Sequence, residues 1–380
     1  MVNWRLLHSM LTAMTSATSS PPSIAVVRLD NLGDHVLGAG LLTALRATYP
    51  HSRIAVVAPA GLADLYRHCP SINHLVTAPA KEHYLQQTVR YVQLLGELRA
   101  AEKFDLVISA RFAEDHYLAA PMCQTLGAPG ARIIGFRQDA TPYPGYNPNS
   151  FFTELVDAPS DLHASRYAEV MAKHLGATAP AEPVVWFSGD EAATVRARYA
   201  LDREPYVVVG CGASYPYKLP SPVLFNHLIA RLASTWSGRI VLTGAPADQP
   251  SGAAILQDFP ASKITSTVGE LSLHELSGLL SGARLYVGPD SGPIHMAAAT
   301  GIPVIEIGWV PVNYPRSSRG AGTAGWCWSP WSTRGTSVRP DPTAFASRMG
   351  SPEFAQQPIS DIPTAELDAA LATALGTTAS

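Results

Sequence analysis

Strand-like and helix-like segments alternate along this chain, and that order constrains its fold more than any single motif does. The apolar run Ile24–Leu29 (IAVVRL) suits a buried strand, and Val36–Thr48 after it has leucines at four-residue spacing, as on one face of a helix. Such alternation is typical of parallel sheets with helices on both faces, so the sequence predicts an α/β protein. The predicted strands are Ile24–Leu29, Ile54–Ala58, Asp105–Ser109, Arg132–Phe136, Tyr206–Val209, Ile240–Thr243, Arg284–Val287 and Val304–Ile307.

The alternation stops and starts again near the middle of the chain. An Ala/Pro-rich stretch at 177–183 (ATAPAEP) separates the two series and has the composition of a linker. At 380 residues the chain is also too long for one ordinary core. We predict a loosely attached tail at 1–23, a first domain at 24–178, a second domain at 184–355 and a last helix at 360–376.

Composition excludes several classes of function. A net charge of −3, with charged residues at 15% of the chain, provides no electrostatic footprint for nucleic acid. The four cysteines form no C-x-x-C pair, which disfavours a zinc site or a disulfide framework. No apolar run reaches the roughly 18 residues of a membrane span, and polar residues interrupt residues 1–23 where a signal peptide would be apolar. We therefore expect a cytoplasmic protein with at most peripheral membrane contact.

The first candidate site is the loop Asp30-Asn31-Leu32-Gly33-Asp34, between a strand and a helix. In open α/β sheets ligands bind at the carboxyl ends of strands, so this loop is expected to face a cleft. Gly33 permits close approach of another group. Asp34 either projects into the cleft or caps the helix, and the loop alone does not decide between these roles.

The second candidate site follows the strand at 206–209. Gly210 and Gly212 begin a pattern typical of dinucleotide-binding loops, but the third glycine is missing. Lys218 stands directly before a helix that Ser221 and Pro222 begin, and it is one of only five lysines. Ser214, Lys218 and backbone amides could hold a diphosphate, although a solvated surface lysine is the alternative.

The third candidate site is the most specific stretch, VGPDSGPIHMAAATGIPVIEIG at 287–308. Asp290 or Ser291 can cap the short helix that follows. The amides of Ser291 and Gly292 would then point from the positive end of that helix, which favours a phosphate. His295, one turn into the helix, can donate a further hydrogen bond. The alternative is an internal helix that is only well capped.

Together these segments resemble the bacterial heptosyltransferases of glycosyltransferase family 9, which transfer heptose from ADP-heptose. The resemblance lies in RLDNLGDHVLGAGLLTALRATYP, HASRYAEVMAKHLG, GASYPYKLPSPVLFNHLIARLA and GELSLHELSGLLSGARLYVGPDSGPIHMAAATGIPV. It implies the GT-B fold, in which two Rossmann-like domains with parallel sheets face each other across a cleft. It also implies that the C-terminal helix crosses back to the first domain, that the donor binds to the second domain and that the acceptor binds to the first.

The resemblance further assigns roles to individual residues. Asp34 matches the general base of the family. The diphosphate of the donor is assigned to Ser214, Lys218, Ser291, Gly292 and His295, and its sugar or ribose to Asp290 and Asp248. Gly33 and Gly212 are assigned to shape the loops. Apart from the resemblance, Asn31 and two tyrosines of the Pro/Tyr-rich segment 141–152, Tyr143 and Tyr146, are candidate acceptor-binding residues, and a rigid surface loop is the alternative for that segment.

The implied reaction is an inverting, metal-independent transfer from a nucleotide diphosphate sugar, and the chain contains no Asp-x-Asp pair that would suggest a bridging metal. No cofactor is expected. The acceptor is either a small natural-product intermediate or the inner core of lipopolysaccharide. A sugar-nucleotide epimerase of the same fold and a non-catalytic nucleotide-sugar binding protein remain as alternatives.

Two segments depart from the family pattern. Gly308-Trp309-Val310-Pro311 replaces the usual Phe-Gly-Pro-Thr, and the following region carries Trp326, Trp328 and Trp331. These tryptophans either stack on a sugar or base, or belong to the core near the domain boundary.

Overall fold

Two six-stranded parallel sheets form the framework of the protein. A computed structural model describes residues 20–78, 88–100, 102–139, 143–259, 262–310, 325–349, 351 and 353–376. The strands of the first sheet are β1 Ile24–Val27, β2 Ile54–Pro59, β3 His74–Ala78, β4 Phe104–Ser109, β5 Gly127–Phe136 and β6 Glu154–Val156. The strands of the second sheet are β7 Tyr206–Gly210, β8 Arg239–Thr243, β9 Ile264–Ser266, β10 Leu285–Pro289, β11 Val304–Ile307 and β12 Gly335–Val338.

Helices connect the strands. They are α1 Leu32–Gly38, α2 Gly40–Thr48, α3 Thr88–Ala100, α4 Ala119–Leu126, α5 Arg166–His174, α6 Gly189–Arg198, α7 Pro222–Thr235, α8 Gln249–Asp258, α9 Leu273–Ser281, α10 Gly292–Ala299, α11 Pro342–Met349 and α12 Thr364–Leu375. Short 3₁₀ turns lie at Ala60–Tyr66, Pro148–Phe151, Pro216–Lys218, Pro246–Asp248, Gly325–Trp328 and Phe354–Gln356. None of the described helices combines the length and the apolar character that crossing a membrane would require.

The two sheets have the same strand order, and this order positions the site. The first sheet runs β3-β2-β1-β4-β5-β6, and the second runs β9-β8-β7-β10-β11-β12. In each sheet the order reverses at the central pair, β1–β4 or β7–β10. Ligands bind in the crevice outside the carboxyl ends of strands at such a reversal. The α/β fold with two Rossmann-like sheets is therefore confirmed, and the loops after β1, β4, β7 and β10 lie where a ligand is expected to bind.

The domains share an apolar interface. Val36 and Tyr66 of the first domain belong to the same buried cluster as Trp186, Leu279 and Ile294 of the second domain. The predicted linker at 177–183 is part of this packing, because Ala177 and Ala181 are also buried in the cluster. Burial of apolar surface at the interface stabilises the arrangement in which the two sets of loops face each other.

The single helix predicted at Val36–Thr48 is in fact two helices, α1 and α2, which meet at Ala39. Glycines stand on both sides of the break, and each is in close contact with another group. A Cβ atom on Gly38 would lie 1.9 Å from Arg28 Nη1, and one on Gly40 would lie 2.2 Å from the carbonyl carbon of Ala181. The break thus lets Arg28 and the linker pack directly against the helix backbone.

The predicted path of the last helix is wrong. Instead of crossing back to the first domain, α12 packs against α7, β11 and β12 of the second domain. Leu367 and Leu371 are buried in the core of that domain, and Asp368 Oδ1 lies 2.9 Å from His227 Nε2 of α7. Of the predicted tail, residues 1–19 lie outside the described residues, whereas Ser23 is attached to β4 through Asp105.

The segment at 325–331 makes the contact with the first domain that was predicted for α12. The carbonyl of Cys327 accepts a hydrogen bond from the amide of Ala164 at 2.9 Å, and the Trp328 ring lies 5.6 Å from that of Phe112. Trp331 lies under the guanidinium of Arg166 at 4.5 Å. The side chain of Trp326 lies outside the described part of the chain.

Candidate active site

A cavity of about 350 Å³ lies between the domains, where the carboxyl ends of their central strands face each other. The loops after β1 and β4 form one wall and the loops after β7 and β10 form the other. The lining residues on which the site depends are Asp30, Asn31, Gly33, Asp34, Arg111, Tyr117, Ser214, Lys218, Asp290, Ser291, Gly292, His295, Trp309, Trp328 and Arg339. The three loops predicted from sequence thus line one cavity.

Asp34 lines the cavity and also caps α1, so the two predicted roles are compatible. Asn31 has extended backbone angles (φ −80°, ψ 168°) and precedes the first turn of α1. Its amide donates a hydrogen bond to Asp34 Oδ2 at 3.1 Å. This bond fixes the orientation of the carboxylate at the N-terminal end of α1, where it can accept a proton from a molecule bound in the cavity.

The surroundings of Asp34 raise the pKa of its carboxyl above the value that an aspartate has in water. Removal from water, followed by the negative charge of Asp30, raises the pKa of Asp34 to about 6, against the opposing charges of Arg28 and Arg111. Burial on its own would raise the pKa of Asp30 as well, but the charges of Arg111 and Arg28 hold the pKa of its carboxyl below the ordinary value. Arg111 Nη1 lies 2.7 Å and Arg28 Nη2 lies 3.4 Å from the Asp30 carboxylate. Asp34 therefore has the properties of a base that works near neutral pH.

Two glycines bring the domains into close contact beside Asp34. A Cβ atom on Gly33 would lie 2.7 Å from His295 Cδ2, and one on Gly292 would lie 2.5 Å from the Leu32 side chain. The first turns of α1 and α10 therefore touch across the domain boundary, and a larger residue at either glycine would have to displace the facing side chain. Gly33 thus lies at a close approach between the two domains.

The second wall of the cavity has the beginning of α10 at its centre. Ser291 is the N-cap residue of α10, and Gly292 begins the helix. The first amides of a helix carry partial positive charge and have no partner within the helix, so they favour an anion. Asp290 accepts a hydrogen bond from Lys218 Nζ at 2.9 Å. Ser214 lies on the same wall, in the loop that leads to Lys218.

Charge on this wall is balanced through Asp290 and Lys218. Burial raises the pKa of Asp290, but the ammonium of Lys218, together with smaller contributions from neighbouring groups, holds the pKa below its ordinary value. Burial lowers the pKa of Lys218, but the Asp290 carboxylate and weaker neighbouring groups together shift it upward. Both groups are therefore charged at neutral pH. The Lys218 side chain keeps 23% of its surface exposed, so its ammonium can reach a ligand in the cavity.

His295 is a neutral imidazole in this structure. Burial lowers its pKa to about 4, and its Nε2 lies 3.9 Å from Asp290 Oδ1. Its Nδ1 is buried and has no hydrogen-bond partner among the residues that the structure describes. A neutral imidazole can donate one hydrogen bond to a ligand without adding charge to the wall.

Four predicted residues lie outside the lining of the cavity. Asp248 Oδ2 accepts a hydrogen bond from the amide of Ala245 at 2.7 Å, and a Cβ atom on Gly212 would lie 1.8 Å from the same oxygen. Gly212 thus makes room for the Asp248 carboxylate at the ends of β7 and β8. The role of Asp248 toward a ribose stays a prediction.

Tyr143 and Tyr146 support the first wall from behind. Tyr143 donates a hydrogen bond to the carbonyl of His116 at 2.9 Å, and Tyr146 donates one to Asp115 Oδ2 at 2.5 Å. Asp115 in turn accepts hydrogen bonds from the first amides of α4. These contacts stabilise the loop that carries His116 and Tyr117, so any effect of the two tyrosines on an acceptor would pass through that loop.

The sequence analysis missed several residues of the cavity. Asp30 and Arg111 follow β1 and β4 and form an ion pair on the first wall. Arg339 follows β12 and also lines the cavity. It donates hydrogen bonds to Glu306 Oε2 at 2.5 Å and to the carbonyl of Val310 at 3.0 Å. Position at the end of a predicted strand was the available signal for Asp30 and Arg111, whereas β12 was not predicted and Arg339 had no such signal. Trp328 both packs on Phe112 and lines the cavity, so its position is compatible with either role considered for the tryptophans.

Comparison with known proteins agrees with this geometry. The sequence model of the family described as glycosyltransferase family 9 (heptosyltransferase) matches residues 92–307. Lipopolysaccharide heptosyltransferase 3 of Escherichia coli is 25% identical over 282 residues, which cover 72% of this chain and 80% of that protein.

Two solved structures of glycosyltransferases have similar folds. A family 9 glycosyltransferase of Veillonella parvula matches 94% of this chain and 98% of its own, with a TM-score of 0.72 and 18% identity. The Escherichia coli heptosyltransferase WaaC, solved with ADP-2-deoxy-2-fluoro heptose, matches 86% of this chain and 98% of its own, with a TM-score of 0.62 and 17% identity. These likenesses show the GT-B fold.

Proposed function

Because this chain belongs to glycosyltransferase family 9, the heptosyltransferase family, we propose that it transfers a sugar from a nucleotide diphosphate donor to an acceptor hydroxyl or amine, with inversion at the anomeric carbon. One observation carries the proposal: Asp34 on the first domain, and Lys218 with the start of α10 on the second, line one cavity. A heptose on ADP is the first candidate donor, since WaaC was solved with an analogue of that compound.

In the proposed reaction Asp34 acts as the general base. The acceptor hydroxyl or amine gives its proton to the Asp34 carboxylate as its oxygen or nitrogen bonds to the anomeric carbon. The bond from that carbon to the diphosphate breaks on the opposite side, and its electron pair leaves with the nucleoside diphosphate. A single displacement of this kind inverts the configuration. Closed domains exclude the water that would otherwise attack the donor.

The second wall supplies the groups that stabilise the departing diphosphate. Lys218 contributes a positive charge, the amides of Ser291 and Gly292 contribute the positive end of α10, and His295 contributes a neutral donor. Together these groups can take the role that a divalent cation has in other transferases. Within the described ranges, histidine, cysteine and carboxylate side chains form no group of three that could hold a metal ion. Metal independence is part of the proposal, and activity in the presence of a chelator tests it.

The acceptor belongs to one of two classes. The similarity to lipopolysaccharide heptosyltransferase 3 favours the inner core of lipopolysaccharide. The charges near Asp34 favour a neutral or amine-bearing small molecule, because Arg111 is already paired with Asp30, and Glu114 adds a further carboxylate to the same wall. An anionic acceptor would bring its charge next to these carboxylates, which is unfavourable where water is scarce.

A single assay tests the proposal. The protein is incubated with ADP-, GDP-, UDP- and dTDP-sugars, with and without acceptor and with and without EDTA, while release of nucleoside diphosphate is measured. The proposed transferase releases the diphosphate only when an acceptor is present, and EDTA has no effect. Release without acceptor, together with free sugar, would indicate an epimerase, and binding without release would indicate a non-catalytic protein.

The pH dependence of the reaction is expected to report the ionisation of Asp34. Its pKa is raised to about 6, so the carboxylate is protonated and inactive below that pH and ionised above it. We expect kcat/KM for the acceptor to rise about tenfold per pH unit below pH 6 and to level off above it. In Asp30→Asn the negative charge that raises this pKa is lost, so the acidic limb moves to lower pH.

The control for the pH profile is Asp34→Asn, whose residual activity has no group at this position to titrate. The measurement is initial rate at subsaturating acceptor from pH 4.5 to 8, with thermal unfolding recorded at each pH because Asp30→Asn disrupts a buried ion pair. An acidic limb that stays in place in Asp30→Asn would assign the titration to another group.

A further inference from the structure

Trp309 contacts the ion pair on the donor wall, at a position where the chain departs from the family pattern. Its indole Nε1 donates a hydrogen bond to Asp290 Oδ2 at 3.1 Å, and the ammonium of Lys218 donates to the same oxygen at 2.9 Å. The ammonium also lies 5.8 Å from the centre of the indole ring. One carboxylate oxygen is therefore shared by a cation and an aromatic donor.

The indole is held more firmly than the lysine. Its ring lies 4.9 Å from that of Tyr217, 6.2 Å from that of Phe345 and 6.4 Å from that of Phe354. The carbonyl of Trp309 accepts a hydrogen bond from Arg348 Nη2 at 3.2 Å. The backbone directly follows β11, a buried strand. The N–H group of Trp309 is thus fixed in direction, whereas the partly exposed Lys218 side chain can rotate.

Binding of a diphosphate in the cavity would change the hydrogen bonding between Lys218 and Asp290. Lys218 must turn at least part of its hydrogen bonding from Asp290 to the phosphate oxygens. If Asp290 then had no donor, a poorly hydrated carboxylate would stand next to a multiply charged anion, and the cost would oppose binding. A second donor that stays on Asp290 Oδ2 reduces that cost.

We propose that Trp309 is a positioning residue for the donor diphosphate, because its indole N–H keeps the Asp290 carboxylate bonded and in place when Lys218 turns to the ligand. The inference rests on the proposed function and concerns how this chain replaces the usual residue after β11. Trp309 acts through Asp290 and Lys218 and needs no contact with the reacting atoms.

The test compares ADP binding to Trp309→Phe with binding to the unaltered protein by titration calorimetry. Phenylalanine keeps an aromatic ring among Tyr217, Phe345 and Phe354 but has no donor for Asp290. Since a hydrogen bond to a charged group is lost in the bound state, we expect the Kd for ADP to rise about tenfold. The matched control is Trp236→Phe, which removes an indole hydrogen bond to the carbonyl of Arg239, remote from the cavity, and should leave the Kd unchanged.

A second background separates positioning from a merely structural role. In Asp290→Asn the carboxylate is replaced by a neutral amide. Lys218 can then turn to the ligand without leaving a negative charge behind, and the indole of Trp309 has no carboxylate to stabilise. We expect Trp309→Phe to change the Kd for ADP by less than about twofold in that background. Equal effects in both backgrounds, or no effect in the unaltered protein, would overturn the inference.

A further test measures the unaltered protein itself. In ¹⁵N-tryptophan-labelled protein the indole resonance of Trp309, assigned by its loss in Trp309→Phe, reports its hydrogen bond. Saturation with ADP should move this resonance further downfield, because Asp290 becomes a stronger acceptor when Lys218 turns away. A shift to the position of a solvent-exposed indole would contradict the inference. If no nucleoside diphosphate binds at all, the proposed function fails, and the inference fails with it.

Discussion

Replacing Asp34 with asparagine is expected to lower turnover by about two to four orders of magnitude, the range for loss of a positioned general base. The amide oxygen of asparagine can still accept the hydrogen bond from the amide of Asn31, so α1 keeps its cap. The donor contacts lie on the other domain, so the Kd for ADP should stay within about twofold of its original value. The measurements are kcat with saturating donor and acceptor, and ADP titration.

The matched control is Asp341→Asn. Asp341 also caps a helix, since its Oδ1 accepts hydrogen bonds from the amides of Thr343 and Ala344, but it lies outside the cavity lining. We expect full turnover for this control and thermal stability similar to that of Asp34→Asn. Unchanged turnover in Asp34→Asn would remove the general-base role and leave only the cap.

The sequence predicted the location of the site because parallel sheets gather the carboxyl ends of their strands. Asp34, Lys218 and His295 are far apart in the chain, yet each lies just beyond a central strand, and the strand order places them in one cavity. Central strands are also the easiest to predict, because burial on both faces makes them continuously apolar. β11 at Val304–Ile307 has the predicted bounds.

Edge strands were missed for the opposite reason. β12 has the sequence GTSV and is mostly exposed, and β3 begins with a half-buried histidine. Short, polar segments of this kind become strands because a neighbouring strand offers hydrogen bonds, and this cannot be recognised from local pattern. The ion pair between Asp30 and Arg111 spans 81 positions of the chain, so no local pattern could indicate it either.

The last helix shows the limit of a family resemblance. The leucines at 367 and 371 predict an apolar face, but an apolar face does not specify which domain it covers. The crossing back to the first domain was implied by the resemblance alone, whereas in this chain the segment at 325–331 makes that contact. Departures from the family pattern were nevertheless informative, since Trp309 and Trp328, both in altered segments, line the cavity.

Replacing Lys218 with alanine is expected to weaken ADP binding by about two orders of magnitude. The change removes the cation that neutralises the diphosphate, and it also leaves the Asp290 carboxylate beside the ligand with the neutral indole of Trp309 as a donor but without the Lys218 charge. Truncating one partner of a buried, hydrogen-bonded charge pair costs about 2–5 kcal/mol, and much of this cost comes from the charge left behind. The Kd for ADP, measured by calorimetry at constant ionic strength, should therefore rise far more than the loss of one exposed lysine would cause.

The double variant Lys218→Ala, Asp290→Asn distinguishes the two contributions. In the double variant residue 290 is neutral, so it no longer repels the diphosphate. Part of the lost affinity for ADP should therefore return even though the ammonium is still absent. The control is Lys263→Ala, because Lys263 Nζ donates to the carbonyl of Ala233, away from the cavity, and its loss should leave ADP binding unchanged. Titration curves for Lys218→Ala that match those of the unaltered protein would contradict the phosphate role. Recovery in the double variant would show that the Asp290 carboxylate is compatible with a bound diphosphate only while the Lys218 ammonium neutralises it.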